Sequence, residues 1–302
     1  MHGRMTGPAR WLGAAALLLL GGCQSALLDP RGPVGRAEKI ILTNSVAIML
    51  AIVVPTIIAT LAFAWWFRAS NKRATYLPEW EFSGRIELVV WSIPIMVILL
   101  LGGVTWISSR DLDPARPLQS DHEPIDIQVV SLDWKWLFIY PQQGIATVNQ
   151  LVVPAGTPVH FSITSGSVFN TFFVPRMGSM IYAMPGMVSQ LNLQADRPAA
   201  FLGQSAHFSG DGFSDMQFQV RSVAPADYAA WVDGVRGAGQ ALDLPAYAQL
   251  ARQSHNVPPL AFRAVDPRLF QAIATQRIPP APGPQPENDA HAGREVSNAG
   301  GR

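Results

Sequence analysis

One thiol is available for chemistry in 302 residues: Cys23, at the end of Leu20-Gly21-Gly22-Cys23 and directly after the apolar run Trp11 to Leu20. Arg4 and Arg10 precede or open that run. A basic start, a short apolar core and small residues before a cysteine form the cleavage and lipid-attachment signal of a bacterial lipoprotein. The core is too short to cross a bilayer, which takes about 20 apolar residues. The expectation is that residues 1–22 are removed and that Cys23 carries lipid, which leaves no thiol for a disulfide or a multi-thiolate metal site. Histidines do not compensate, because His122, His160 and His255 are scattered singly and are expected to do structural or surface work. The remaining chemical candidate is Glu87, in Glu87-Leu88-Val89-Val90-Trp91-Ser92-Ile93-Pro94. An ionisable group at the edge of an apolar span is costly enough to suggest proton uptake or transfer. A helix-start carboxylate favoured by the macrodipole and the nearby Arg85 explains it equally well.

Two apolar spans must position these groups. Ile40 to Phe67 holds no Asp, Glu, Lys or Arg in 28 residues, and Leu88 to Ser109 none in 22. Each is long enough to cross a hydrocarbon core of about 30 Å as a helix. Trp65, Trp66 and Trp106 lie near the ends, where amphipathic rings favour the headgroup region. Pro55 and Pro94 are expected to kink the helices, which neighbouring helices accommodate. Arg68, Lys72, Arg73 and Arg85 between the spans favour a cytoplasmic loop, but Arg31, Arg36 and Lys39 on the other side nearly balance them. Lipidation of Cys23 on the outer face settles the orientation, placing everything after Ser109 outside the inner membrane.

Charged residues are 14% of the chain, and 22 basic residues nearly cancel 21 acidic ones. Nucleic acid is excluded as a partner, since phosphate binding needs a clustered basic surface. From Ile125 the pattern changes to short alternating runs, with Ile125, Ile127 and Val129 separated by Asp126 and Gln128. Further strands are expected at Trp136 to Tyr140, Thr147 to Val153, Pro158 to Thr164, Phe169 to Val174, Val188 to Leu193, Ala200 to Gly203 and Met216 to Val223. Turn signals such as Pro154-Ala155-Gly156 separate them, so a β-sandwich or Greek-key barrel is expected. Helices are expected from Pro225 to about Val235 and from Leu244 to Gln253. Five of the eight residues from Pro279 to Pro286 are proline, and 279–302 reads as a disordered tail.

Two spanning helices followed by such a sandwich resemble subunit II of the haem–copper terminal oxidases. The resemblance runs from Cys23 to about Gln276. It is carried by Ser131-Leu132-Asp133-Trp134-Lys135-Trp136-Leu137-Phe138-Ile139-Tyr140-Pro141, by Ser167-Val168-Phe169-Asn170-Thr171-Phe172-Phe173-Val174-Pro175 and by Gly203 to Gln219. Tyr247 to Ile273 looks like the aromatic-rich extension of the quinol-oxidising members, the cytochrome bo-type ubiquinol oxidases. The resemblance implies an α+β membrane protein with a cupredoxin-like Greek-key domain. The expected division is 1–22 signal peptide, 23–39 lipidated segment, 40–67 and 87–109 spanning helices around a cytoplasmic loop 68–86, 124–223 periplasmic cupredoxin-like domain, 224–278 helical aromatic-rich extension and 279–302 tail.

In the cytochrome c-oxidising relatives this domain holds a binuclear copper centre. Its ligands are one upstream His and a loop reading Cys, x, Glu, x, Cys, three residues, His, two residues, Met. The matching positions here are Asn170, then Ser205, His207, Ser209, Phe213 and Met216. Bridging a copper pair needs soft thiolates, and Phe213 has no lone pair to give. His207 and Met216 alone, nine positions apart, make a poor single-copper site. The expectation is that no metal binds this chain and that cytochrome c is not its donor. Haem and copper are then expected in subunit I, the main partner besides membrane lipid, with ubiquinol as substrate of the complex. The resemblance also implies that Glu87 lies near the mouth of a proton pathway into subunit I. In copper-containing relatives an aromatic cluster in the region of Trp134 and Trp136 lies near the electron-entry point; with no copper to feed, both are expected to be packing residues, within the sandwich or against subunit I. The competing reading is a membrane-tethered periplasmic lipoprotein whose cupredoxin-like domain binds another partner.

Overall fold

The computed structural model describes residues 26–75, 77–237 and 239–283. Cys23, the signal segment and residues 284–302 lie outside them. The chain divides into two compact units, one spanning Ala37–Asp113 and the other formed by the residues on either side of it.

The apolar unit is built from all but the first turn of helix α1 (Pro33–Trp66) and from α2 (Gly84–Asp111). Both outrun the expected spans 40–67 and 87–109 at their N-terminal ends. Helix α1 starts at a proline, whose fixed φ and missing N–H suit a first turn. At 34 residues α1 is about 50 Å long. Both helices are long and apolar enough to cross a membrane, and their most apolar stretches bury nothing against protein. Hydroxyls within α1 bond back to carbonyls one turn earlier: Thr56 Oγ1 donates to Ile52 O and Thr60 Oγ1 to Thr56 O, both at 2.8 Å.

The second unit is a two-sheet sandwich. Its strands are β1 (Ile125–Leu132), β2 (Lys135–Tyr140), β3 (Ile145–Val148), β4 (Gln150–Pro154), β5 (Pro158–Ser165), β6 (Asn170–Val174), β7 (Gly178–Ala183), β8 (Ser189–Gln194), β9 (Ala199–Ser205), β10 (Gln217–Val223), β11 (Gln240–Leu242) and β12 (Leu260–Val265). One sheet runs β11-β12-β3-β2-β1-β5-β8 and the other β4-β10-β9-β6-β7. The pairs β1–β5 and β4–β10 are parallel, so the chain crosses between sheets rather than closing hairpins there. The interior between the sheets is aromatic. The Phe172 and Phe218 rings stack at 5.3 Å, Trp136 meets both edge-on, and Phe138 and Phe161 complete the cluster.

Three expectations are corrected. The single strand Thr147 to Val153 is two, because Asn149 adopts a left-handed φ of 53° and turns the chain from one sheet into the other. Its side chain makes the turn tolerable: Oδ1 accepts from Trp136 N and Nδ2 donates to Val257 O, each at 2.8 Å. The extension after residue 223 is not purely helical. Helices α3 (Pro225–Gly237), α4 (Leu244–Leu250) and α5 (Leu269–Ala274) alternate with β11 and β12, which lengthen the first sheet beyond β3. Leu242, Tyr247, Leu269, Phe270 and Ile273 of the extension pack against Leu137, Ile139, Ala146 and Val148 in a second core. Of the tail expected over 279–302, disorder is corrected for 279–283 alone, since Ala281 N donates to Gly166 O at 2.8 Å and holds them on the sandwich.

The segment before α1, together with the first turn of α1, is stitched to the same unit. Arg31 N donates to Arg176 O, Gly35 N to Met177 O and Asp196 N to Arg31 O. Asp29 accepts from Arg31 and Arg176, and Arg36 pairs with Asp196. Glycine is required at 32, where a Cβ would run into the carbonyl of Gln194.

Candidate functional site

Six positions singled out by sequence meet at one end of the sandwich. Asn170 opens β6, Ser205 closes β9, and the loop 206–216 between β9 and β10 carries the other four. Ser205 and Asn170 are both buried, and Ser205 Oγ donates to Asn170 Oδ1 at 2.8 Å. Ser205 N donates to Met216 O at 3.0 Å and Ala206 N to Thr171 O at 3.2 Å, which closes the base of the loop. Met216 is buried beneath it. His207 points elsewhere, its exposed ring set edge-on against Phe169 at 4.8 Å. Phe213 pairs with Phe208, which is 72% exposed.

Ser209 enters through its backbone. Its carbonyl accepts from Trp134 Nε1 at 2.9 Å, while its own buried Oγ has no hydrogen-bond partner. The donors gathered here are an amide, two hydroxyls and a thioether, with an imidazole turned toward a phenyl ring. A pair of copper ions needs bridging thiolates, which neutral hydroxyls do not replace. Among the described residues no group of three or more His, Cys, Asp or Glu is arranged to hold a metal ion.

Glu87 sits in the first turn of α2, away from this loop in the chain and in the other unit. Its exposed carboxylate accepts from Trp91 Nε1 at 3.0 Å, one turn further on. The other histidines are scattered as expected: His160 Nδ1 lies 3.0 Å from Asn192 Oδ1, and His255 lies against Trp134. Trp136 is a core residue. Trp134 is different, because it holds a left-handed φ of 62° at the β1–β2 turn and aims its indole at the loop.

The same turn carries a polar cluster that residue pattern alone did not reveal. Lys135 is 1% exposed. Its Nζ donates to Asp133 O at 3.1 Å, Arg252 O at 2.7 Å and Ser254 Oγ at 2.7 Å, using all three ammonium protons. Burial pushes this ammonium down to about 8, partly offset by the Asp133 charge. Burial likewise raises Asp133, against the hydrogen bond from Ser167 Oγ and the charge of Lys135. Sequence offered one signal for it, a lysine inside the strand-like run Asp133-Trp134-Lys135-Trp136. Two of its three partners, Arg252 and Ser254, lie more than 110 residues away and could not be read.

Comparison with known proteins places this geometry. The family model for "Cytochrome C oxidase subunit II, periplasmic domain" matches residues 125–223, and that for the "COX Aromatic Rich Motif" matches 236–280. The cytochrome bo(3) ubiquinol oxidase subunit 2 of Pseudomonas aeruginosa is 47% identical over 286 residues, covering 95% of this chain and 86% of that one. The ubiquinol oxidase subunit 2 of Acetobacter aceti is 48% identical over 89% of this chain and 88% of its own length. The Pseudomonas putida cytochrome bo(3) ubiquinol oxidase subunit 2 is 49% identical over 85% and 82%. This chain belongs to the subunit 2 family of the ubiquinol oxidases.

Proposed function

We propose that this chain is the non-redox subunit II of a terminal oxidase that oxidises ubiquinol, reduces oxygen to water and moves protons across the bacterial inner membrane. Identity near 47–49% across most of both chains supports the assignment to such a complex. The observation that carries the copper-free part is the donor set. Asn170, Ser205, Ser209 and Phe213 stand where thiolate and imidazole ligands would be needed, and Ser205 and Asn170 are engaged with each other. Haem and copper then belong to subunit I, and quinol delivers electrons there within the membrane rather than through cytochrome c. Two apolar helices and a sandwich matching a periplasmic domain family support two membrane passes with the sandwich in the periplasm. Cys23 carries the lipid in this reading, and Glu87 stands at a proton entrance.

Metal analysis and electron paramagnetic resonance of the full-length chain, purified in detergent apart from subunit I, test the copper-free reading. Copper at background, before and after incubation with copper salts, is expected. Two copper ions per chain with the resonance of a mixed-valence pair would overturn it.

A further inference from the structure

We infer that the C-terminal extension positions the 206–216 loop, acting through His255 on Trp134, and so supplies the order that a metal would otherwise give such a loop. The inference rests on the copper-free reading above.

Bonds at the base of the loop hold only its ends: Ser205 N to Met216 O, and Ala206 N to Thr171 O. Inside it the backbone forms a short turn, with Phe213 N donating to Gly210 O and Asp215 N to Gly212 O. Gly210, at φ 100°, and Gly212 give this stretch wide conformational freedom. Trp134 holds the middle from outside. Trp134 Nε1 donates to Ser209 O at 2.9 Å, and its indole lies so close to Gly212 that a Cβ there would overlap the ring.

Trp134 does this from a left-handed backbone conformation, at φ 62°, that bulky residues seldom adopt without support. The support comes from the extension. The His255 ring lies 4.1 Å from the indole, centroid to centroid. His255 is fixed from both sides by buried residues of the sandwich. Lys135 Nζ binds Arg252 O and Ser254 Oγ, and Asn149 Nδ2 binds Val257 O. A continuous physical path therefore runs from the extension, through two rings, to the loop. Phe208, at 72% exposure, rides on that loop, so its order sets the surface this end of the domain presents.

Hydrogen exchange of the full-length chain in the purified oxidase complex tests this, followed at the amides of 205–216. His255→Ala is expected to speed exchange there by roughly tenfold or more while β1, β2 and β5 keep their rates. His255→Phe, which keeps a ring on the indole, is expected to restore the loop. Unchanged loop rates in His255→Ala, or an even rise across both sheets, would overturn the inference. Should His255→Ala fail to assemble, Trp134→Phe keeps the ring, loses the bond to Ser209 O, and is judged by the same two outcomes. Copper found in the wild-type chain would instead remove the premise, whatever the exchange rates.

Discussion

Ser205 and Asn170 are buried and hydrogen-bonded to one another at one end of the sandwich, and that pairing can be measured. Ser205→Ala leaves the buried Asn170 Oδ1 without its donor, at a cost of about 1–3 kcal/mol in the unfolding free energy of the chain. Thermal unfolding in detergent checks this; an unchanged midpoint would mean the amide finds another partner. Lys135 makes a pH prediction. Its folded pKa is lowered from 10.5 to about 8, so between those values the unfolded chain holds a proton that the folded chain has lost. Stability therefore rises with pH across that window and is lower below it. Lys135→Met is expected to flatten the rise in a pH series of unfolding midpoints, and an identical slope in the variant would refute the assignment. At this scale the sequence showed which ligand types were missing, because that needs only residue identity and spacing. It did not show Lys135 meeting Ser254 or His255 meeting Trp134, which depend on how a distant segment folds back.

At the scale of elements, legibility followed periodicity. The alternation of Ile125, Ile127 and Val129 and the β-branched run at Pro158–Ser165 read directly as strands. Gly178–Ala183 did not, for it opens on a glycine at φ 140° that packs against Val34 in the first turn of α1. Leu260–Val265 was hidden inside a segment read as helical, since an exposed strand added to the sheet beyond β3 shows no buried alternation. The extension is nonetheless core material. Phe270 is 5% exposed within the cluster shared with Leu137 and Val148. Phe270→Ala is expected to cost about 3–5 kcal/mol and to loosen β3 and β12 first in hydrogen exchange. A loss below 1 kcal/mol would show that the extension is peripheral to the fold.

For the whole molecule, one sequence serves two solvents. Two helices with long uncharged apolar stretches suit lipid, and a sandwich with an aromatic interior and a stitched N-terminal segment suits water. With a single cysteine in the chain, the proposed lipid anchor has a direct test. Labelled fatty acid is expected to be incorporated into the wild-type chain and lost in Cys23→Ser, and retained label would place the anchor elsewhere. Glu87→Gln bears on the proton-entrance reading: slower turnover with a lowered proton-to-electron ratio is expected, and wild-type values for both would leave Glu87 as a helix-start carboxylate. The central claim, a copper-free subunit of a quinol-oxidising complex, is tested most directly by purifying the intact assembly through a tag on this chain. Oxygen uptake is then followed with ubiquinol and, separately, with reduced cytochrome c. Uptake with ubiquinol and none with cytochrome c is the result predicted; uptake driven by cytochrome c, or a chain that purifies without a haem-bearing partner, would contradict it.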